Sequence, residues 1–581
     1  MNPTPEQKAA GKQDFLAACE ANRREFLKTS VFAGVVAGGS LGAFYFGYEA
    51  ALPNPVRVGV IGTGDEGSVL IGAINPAFID VKSISDIRPY NVHRALHGDV
   101  YSPAALAARC GLMKKYGWKS ESQARKQVKV YGAYQDLIKN AKADGIEAVI
   151  IALPLHLHAP AAIAAMRAGL HVLTEKLMGQ TVGKCKEMAR VAKDTHRHLA
   201  TGHQRHYNIL YDNAVDQIRR GILGDLHYIR AQWHRGNMPG SDSWQQPMPD
   251  RAKPRDKQHA VLAKELASWT KELEAARGSA VDEWAQKVAQ KKAQIADEIL
   301  SQKGKDGKLP VEKFGYEAKE YKDASGKVIY DRPAIEELIR WRLWERTGAG
   351  LMAELGSHQL DAASIFVSAV HGGVKQHPLS VVAAGNRPIF PVDRDVEDHV
   401  YCLLDFPLPG YDPKDPIAER NKIGVQYATV NGNGFGGYGE IVYGTGGTLI
   451  LELEKEATLL RSESKSKISV AKGPTLDTQA SGPAQKAAAK GGPAPDVSRG
   501  YTEEEEHWAW CIRNNPNNTD PDIQPRCRPK VAMGDAVIAL TTNIAAREGR
   551  RIVFDEEWFD PDSDKTPEGE KPNVNRKEYK I

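Results

Sequence analysis

Cysteine is scarce in this chain, and no two cysteines have the C-x-x-C spacing of a structural metal site or a redox motif. The six that occur among 581 residues are scattered, at Cys19, Cys110, Cys185, Cys402, Cys511 and Cys527. Neither a disulfide framework nor a zinc module is therefore predicted. A bond between Cys511 and Cys527 in an oxidising compartment stays open at this stage.

The chain also lacks a strong excess of positive or negative charge. The chain has 77 Lys and Arg against 73 Asp and Glu, which gives a formal net charge of +4, and the two signs are interspersed. No nucleic-acid partner is predicted, because such a partner needs a basic face or stripe. The length and the hydrophobic fraction of 41% instead predict a large core, two domains and insertions.

The first 50 residues have the pattern of an export signal. Arg23 and Arg24 are followed by Phe-Leu-Lys at 26–28 and by an uncharged, weakly apolar stretch at 31–48. This order resembles a twin-arginine signal, so residues 1–50 are predicted to direct export of the folded protein. The expected location is the periplasm, either free or held on the membrane facing outward. A membrane anchor and an ordinary amphipathic helix are the alternatives.

A β-branched apolar run at 56–61 ends directly in a glycine-rich turn, Gly62-x-Gly64-x-x-Gly67. In such a turn the first glycine permits the tight bend, the second lets the backbone approach a pyrophosphate, and the third lets the next helix pack closely. The helix start adds free N–H groups and a positive dipole end. The pattern predicts a dinucleotide-binding unit, with Asp65 expected to cap its helix.

A second apolar strand, at 79–85, leads into Asp86. An acid at this position accepts hydrogen bonds from the ribose hydroxyls of adenosine, which favours NAD. Arg88 follows two positions later and is suited to a 2′-phosphate, so NADP stays open. The alternative for Asp86 is an acid that only caps a turn.

Strand-like and helix-like segments alternate from 54 to 201, where the β-branched runs at 148–153 and 171–174 predict a doubly wound parallel sheet of the α/β class. After Gly202 the pattern changes to longer strands with alternating hydrophobicity. Three of these are predicted at 226–233, 425–430 and 448–453. They indicate an α+β domain over 202–561 with a large, mostly antiparallel sheet covered by helices on one face.

Two insertions and a tail complete the predicted organisation. Residues 251–302 are rich in Ala, Lys, Glu and Gln, which predicts a polar helical hairpin of open role. Residues 474–498 contain Gly-Pro and Gly-Gly-Pro clusters and are predicted to be a surface loop. Residues 562–581 are predicted to be a C-terminal tail.

The strand at 171–174 runs into Glu175 and Lys176. A lysine therefore stands at the carboxyl end of a parallel strand, the edge at which doubly wound sheets bind ligands. Partial burial there would lower the pKa of the lysine and let it exchange a proton with a substrate hydroxyl. A Glu-Lys pair on a surface turn is the alternative.

Glu354, His358 and Asp361 recur at i, i+4 and i+7 in the segment from Gly350. On a helix they share one face, which suits a proton relay or a polyol-binding edge. A metal held by two or three of them is the alternative, but no H-x-x-x-H or further histidine supports it, so no metal site is predicted.

A sharp turn follows the strand at 148–153 and carries Pro154, His156 and His158 to the expected cofactor edge. The two histidines can donate to ribose or substrate hydroxyls. Alternatively, each is a loop histidine whose hydrogen bonds are satisfied by the protein itself.

Jointly, these patterns resemble the Gfo/Idh/MocA family, the group of glucose-fructose oxidoreductase and inositol dehydrogenase. The resemblance extends from about residue 54 to Pro561. It rests on the segments 62–67, 86–89, 154–158, 175–176, 202–205, the helix from Gly350, and 553–561. The last of these is similar to exported members.

The resemblance implies a Rossmann domain that binds NAD or NADP and a second domain whose sheet often forms the interface of a homo-oligomer. The family's catalytic lysine falls on Lys176, and its carboxylate and histidine fall on Glu354 and His358. Further nucleotide-binding positions fall on Pro154, His158, Glu175 and Gln204. The sequence departs from the family pattern at Leu177, where proline is usual, and at Glu354, where aspartate is more usual.

The expected function is hydride transfer between a hydroxyl-bearing carbon of a sugar or cyclic polyol and a tightly held nicotinamide nucleotide. Lys176 or His358 is expected to exchange the hydroxyl proton. Four tryptophans offer faces for a sugar ring or for the core: Trp233, Trp341, Trp344 and Trp510. The rival functions are a redox-neutral, NAD-dependent glycoside hydrolase, which departs from the usual carboxylate pair, and a non-catalytic sugar-binding protein.

Overall fold

The computed structural model describes residues 4–19, 40–250, 252–253, 260–305, 307–390, 392–461 and 499–581. The arginine pair at 23–24 and the loop predicted at 474–498 lie outside these residues. Within them, none of the helices has both the length and the hydropathy of a membrane-spanning segment. All six cysteines are free thiols, so Cys511 and Cys527 are not paired.

Six parallel strands form the first sheet in the order β3-β2-β1-β4-β5-β6. Their bounds are β1 Val56–Ile61, β2 Ile79–Ser85, β3 Lys129–Tyr131, β4 Ala148–Ile151, β5 His171–Glu175 and β6 Leu199–Gly202. Every residue of β4 and β5 is buried, as expected for central strands of a doubly wound sheet. The α/β prediction for this part of the chain is confirmed.

Helices cover both faces of the first sheet. The helices that come before the second sheet in the chain are α1 Pro5–Ala18, α2 Ser40–Phe46, α3 Asp65–Ala73, α4 Pro89–His97, α5 Pro103–Ala108, α6 Gly111–Tyr116, α7 Glu121–Gln127, α8 Tyr134–Asn140, α9 His158–Arg167, α10 Val182–Thr195 and α11 Ile209–Arg219. Apolar residues of α9 and α10 pack on one face. Apolar residues of α3 and α4 pack on the other.

Eight strands form the second sheet in the order β15-β14-β13-β7-β12-β11-β10-β16, in which β7 and β12 are parallel and the other neighbours are antiparallel. Their bounds are β7 Leu226–Trp233, β10 Ser380–Asn386, β11 His399–Pro407, β12 Lys422–Val430, β13 Tyr438–Gly444, β14 Gly447–Glu452, β15 Glu456–Arg461 and β16 Ile552–Val553. The predicted mostly antiparallel sheet is confirmed. Burial alternates along β11 and β12, so one face is covered and the other is open.

The polar helical hairpin predicted for 251–302 is present, as α12 Val261–Ala275 and α13 Ala280–Ala296. After it come α14 Pro310–Lys313, the ribbon of β8 Lys319–Lys322 and β9 Val328–Arg332, α15 Ala334–Ile339 and α16 Glu345–Gly348. Helix α13 packs along α4 of the first domain. Gln290 on α13 fixes this contact, since it accepts from Val100 N and donates to Asp99 Oδ1, both at 2.8 Å.

Three long helices follow: α17 Ser357–Val370, α18 Tyr501–Asn514 and α19 Pro529–Glu548. Helices α17 and α19 pack on the covered face of the second sheet. Helix α18 instead returns to the first sheet, where Trp508 and Ile512 complete the core beside α3. The first domain therefore includes a helix from far beyond its predicted end at residue 201.

The last residues, 562–581, lie against α10 of the first domain. Glu187 on α10 is fully buried and accepts hydrogen bonds from Asn573 N at 2.5 Å, from the Arg576 guanidinium at 2.8 Å, and from the Tyr579 hydroxyl. A buried carboxylate needs such partners, because an unpaired charge in the interior is costly. The segment expected to be a tail is thus an ordered part of the fold.

Candidate functional site

A cleft of about 1280 Å³, its open mouth included, lies at the carboxyl edge of the first sheet, and Gly62 and Gly64 form part of its wall. A Cβ on Gly62 would lie 2.4 Å from Ala152 O, and one on Gly67 2.1 Å from Gly62 O, so the close packing of strand, turn and helix requires glycine at both. A Cβ on Gly64 would come no closer than 3.6 Å to a described atom. This open backbone, at the start of α3, fits the pyrophosphate of a dinucleotide.

Asp86 lies at the end of β2 and lines the same cleft. Its Oδ2 accepts from Thr63 N at 2.8 Å and Asn91 Nδ2 at 3.1 Å, and its Oδ1 accepts from Arg88 N at 2.9 Å. The carboxylate therefore fixes the turn while it lines the cleft, so the two roles considered for it are compatible. The Arg88 side chain is ion-paired with Asp297.

Asp65 does not cap α3, because the cap position is Gly64, which makes no side-chain hydrogen bond. Asp65 instead pairs with buried Arg94 at 2.6 Å and accepts from Gln246 Nε2 at 3.2 Å. Burial alone would raise the pKa of Asp65, but Arg94 and Arg109 lower it below its usual range. Asp65, which was expected to cap the helix, is therefore one member of a buried ion pair.

Two further carboxyls, Glu66 and Glu175, lie in the cleft wall. Burial raises the pKa of Glu66 to about 7, and both its oxygens are without a described partner. Burial, followed by the proximity of Glu66, raises the pKa of Glu175 to about 8, although Glu175 accepts from Lys176 N at 3.0 Å. These acids thus carry less negative charge at the cleft than ordinary carboxylates would.

Lys176 follows β5 and reaches into the cleft wall, as its position predicts. Its Nζ donates to Glu354 O at 2.8 Å and lies 3.4 Å from Ala353 O. Burial lowers its pKa. Leu177, which stands where the family has proline, is buried and follows Lys176 through a cis peptide bond.

Glu354 belongs to a π-helical turn, Met352–Gly356, that precedes α17. Its backbone carbonyl receives the Lys176 ammonium, and its carboxylate accepts from Arg342 Nε at 2.9 Å. The turn therefore brings the second domain onto the lysine through backbone carbonyls, and π-helical turns are frequent at functional sites.

The relay expected for Glu354, His358 and Asp361 is not assembled. His358 lies behind the cleft wall, where its ring packs on Trp233 with centroids 5.4 Å apart and its Nε2 has no described partner. Burial, and then Lys176, lower the pKa of His358 well below its usual value, so the ring is neutral. Asp361 points away to His206, 2.8 Å from Nε2.

Two other predicted nucleotide contacts are engaged elsewhere. The ring nitrogens of His158 each lie 2.8 Å from a backbone carbonyl, those of Leu153 and Leu177, so this histidine braces the loop although it borders the cleft. Gln204 is buried against Glu454, with 3.5 Å from Nε2 to Oε1, and lies outside the described wall. Pro154 does line the cleft.

One buried group has metal-ligand geometry. Ligand atoms of His203, Asp361 and Asp535 lie within 4.8 Å of one another. The Lys375 ammonium pairs with Asp535 and lies 3.7 Å from Asp361, so it supplies positive charge at this position. The expectation that no further histidine accompanies Asp361 is therefore wrong, since His203 Nδ1 lies 3.5 Å from its Oδ2. These residues are too far apart in sequence to form a recognisable motif.

Sequence reasoning missed most of the wall that the second domain supplies. The missed residues include Asn91 and Tyr134 of the first domain and Gln246, Phe314, Tyr316, Leu338 and Arg342 of the second. Of the four candidate tryptophans, Trp341 borders the described cleft, whereas Trp344 and Trp233 are buried in the core. No local pattern marks these residues, because tertiary packing of separate helices and loops brings them to the cleft.

Comparisons with known proteins agree with this geometry. The model of the Gfo/Idh/MocA oxidoreductase family, with an NAD-binding Rossmann fold, matches residues 56–203. A glycosyl hydrolase family 109 protein of Solibacter usitatus is 24% identical over 222 residues, which are 37% of this chain and 46% of that protein. Another, of Stenotrophomonas maltophilia, is 30% identical over 181 residues, 30% of this chain and 35% of that protein. The chain thus spans less than half the length of these curated relatives.

Among solved structures, an inositol dehydrogenase homolog of Azotobacter vinelandii, complexed with NADH and myo-inositol, superposes with a TM-score of 0.51 at 12% identity. The superposition covers 87% of this chain and 98% of that one, and it shows the shared two-domain fold. The glycine turn, the order of the first sheet and the family match all lie in residues 56–203. Residues 56–203 thus match the NAD-binding Rossmann domain of the Gfo/Idh/MocA oxidoreductase family.

Proposed function

We propose that the protein transfers a hydride between a tightly held nicotinamide nucleotide and a hydroxyl-bearing carbon of a sugar or cyclic polyol. The observation that carries this proposal is Lys176, a buried amine in the wall of the same cleft as the glycine turn. The nicotinamide, when bound, accepts or returns the hydride. The cleft wall also carries Gln246, whose amide can hydrogen-bond with hydroxyls, and the Trp341 ring, whose apolar face suits a sugar ring.

The protein's own contribution is to move the hydroxyl proton. Lys176 Nζ takes this proton when the substrate is oxidised and returns it when the product is reduced. Its lowered pKa increases the fraction of free amine near neutral pH. The carbonyls of Ala353 and Glu354 orient the amine, and Arg342 holds the Glu354 carboxylate.

A second candidate is a redox-neutral glycoside hydrolase, which the names of the curated relatives favour. In that reaction, oxidation at a sugar carbon acidifies the adjacent C–H, elimination releases the aglycone, water adds to the resulting enone, and the hydride returns to the ketone. Lys176 serves as the proton acceptor in both candidates. They differ in whether reduced nucleotide accumulates.

The test is to denature the purified protein, identify the nucleotide that is released, and then assay the native protein with free sugars, cyclic polyols and nitrophenyl glycosides. About one nucleotide per chain with accumulation of NADH or of reduced acceptor sugar supports the oxidoreductase. Release of nitrophenol without net NADH supports the hydrolase. If no nucleotide is released and none binds on titration, both proposals are wrong.

We also propose that the open face of the second sheet joins a second copy of this chain. Val382, Tyr401, Leu403 and Val553 are apolar residues on this face, each 40–68% exposed. Val382 and Leu403 are cross-strand neighbours, as are Ser380 and Val553. An exposed apolar patch of this kind is typical of a protein interface.

Export by the twin-arginine route is proposed from the pair Arg23-Arg24. Replacing both by lysine is expected to leave the protein in the cytoplasm, as detected by fractionation. Continued appearance of the double variant in the periplasm, or on the outer side of the membrane, would contradict the proposal.

A further inference from the structure

We infer that Asp297, which the helical hairpin brings to the first domain, makes the nucleotide site select NAD over NADP. The inference rests on the proposed nucleotide binding and goes beyond it, because the sequence leaves the choice open. Asp86 and Arg88 occupy the two positions that favour a ribose hydroxyl and a 2′-phosphate, respectively. The choice between the two nucleotides depends on whether the Arg88 side chain can bind a 2′-phosphate.

Asp297 directly follows α13 and is buried, with 1% of its surface exposed. Its Oδ2 lies 2.8 Å from Arg88 Nε, and its Oδ1 accepts from Tyr90 N at 3.0 Å. The carboxylate thus bridges a side chain and the first turn of α4. This arrangement holds Arg88 in the wall of the cleft with a negative charge behind it.

The hairpin is fixed in this position independently of Asp297. Gln290, two turns earlier on α13, hydrogen-bonds with Val100 N and Asp99 Oδ1. Asp99 in turn pairs with the buried residues Arg94 and Arg109. The approach of Asp297 to Arg88 is therefore set by a buried contact between the two domains and does not depend on the Arg88 pair alone.

The consequence for the two nucleotides follows from charge. A 2′-phosphate would have to compete with the Asp297 carboxylate for the Arg88 guanidinium, and both oxyanions would lie close together in a partly buried site. A ribose hydroxyl needs no cation and can donate to Asp86. The motif around Asp86 therefore retains an arginine, but the Asp297 carboxylate on the hairpin offsets its charge.

The test is a comparison of dissociation constants for NAD⁺ and NADP⁺, measured by calorimetry on protein freed of nucleotide. The wild type is expected to bind NADP⁺ at least about 100-fold more weakly than NAD⁺, and Asp297→Asn is expected to reduce that ratio at least about tenfold. The double variant Arg88→Gln/Asp297→Asn is expected to restore the wild-type ratio. Glu283→Gln, the same type of change at a 63% exposed position on the same helix, is the matched control.

Arg88→Gln in the otherwise unchanged chain gives a second measurement if Asp297→Asn does not fold. It is expected to leave the NADP⁺ to NAD⁺ ratio within about threefold, because the guanidinium is already engaged. Equal binding of both nucleotides to the wild type, or a selective loss of NADP⁺ binding in Arg88→Gln, would overturn the inference. Failure of the wild type to bind either nucleotide would overturn the proposed function and the inference together.

Discussion

The first sheet is covered by helices on both faces, whereas the second is covered on one face and open on the other. The central strands β4 and β5 of the first sheet are short and fully buried, and the candidate site lies at one edge of this sheet, where the strands end. The strands of the second alternate, with buried residues such as Leu404 beside exposed ones such as Leu403. This contrast matches the two proposals made above, in which the edge of the first sheet carries the chemistry and the open face of the second sheet joins a second copy of the chain.

The largest expected effect comes from Lys176→Met, at the edge of the first sheet. The apolar chain fills the same space but cannot accept a proton, so kcat is expected to fall by about 10²–10⁴-fold. Nucleotide affinity and oligomeric state are expected to stay the same. Stopped assays of NADH formation, with calorimetry and light scattering, measure the three quantities, and an unchanged kcat would contradict the role of the lysine.

The glycine turn allows a matched pair of substitutions. Gly67→Ala places a Cβ 2.1 Å from Gly62 O, so it is expected to lower the free energy of unfolding by about 3 kcal/mol. Gly64→Ala meets no described atom within 3.6 Å, so the fold is expected to persist while nucleotide affinity falls. Urea unfolding and calorimetry separate the effects. Equal loss of stability in both variants would contradict this reading of the turn.

A smaller effect is expected from pH through Glu175. Its pKa is about 8 in the folded protein and near 4.5 in the unfolded chain, so between these values the folded state binds more protons. Stability therefore falls as pH rises from about 4.5 to 8. Glu175→Gln is expected to reduce this fall by about 1–2 kcal/mol, measured by urea unfolding at pH 5 and pH 8. An unchanged difference between the two pH values would contradict the assignment.

The smallest effect on the single chain is expected from Leu403→Lys on the open face of the second sheet. Its side chain is 49% exposed, so the stability of the protomer is expected to change by less than about 0.5 kcal/mol. Assembly is nevertheless expected to shift toward monomer in light scattering. Val425 is buried on the opposite face of the sheet, so a substitution there would disturb the core and is not suitable for this test. If Leu403→Lys leaves assembly unchanged, this face is not the interface.

The fold could be predicted from sequence where a pattern is local. The period of the hydrophobic pattern was enough to recognise two kinds of strand. These are the β-branched runs of β4 and β5 and the three alternating strands that follow Gly202 in the chain. The hairpin of α12 and α13 was recognisable from its polar helical composition. Helix α18 was not assignable to the first domain, because its partners there, from Val56 to Ala200, lie about 300 residues or more away along the chain.

The site could be predicted only in part for the same physical reason. The glycine turn and Asp86 lie on one βαβ unit, and Lys176 follows another strand of the same sheet, so local patterns place all three at the carboxyl edge. The pairing of Glu354 with Arg342, and of Arg88 with Asp297, depends on tertiary approach that no local period encodes. The regular i, i+4 reading of Glu354 and His358 also failed, because a π-helical turn precedes α17.

The burial of Glu187 beneath residues 573–579 has a consequence for synthesis. Domains commonly fold in order as they leave the ribosome, the N-terminal one first. Here the first domain lacks helix α18 and the partners of Glu187 until residues 501–579 have been translated. The first domain is therefore completed late in synthesis, so a chain stalled before these residues would present an unfinished nucleotide-binding domain to proteases and chaperones.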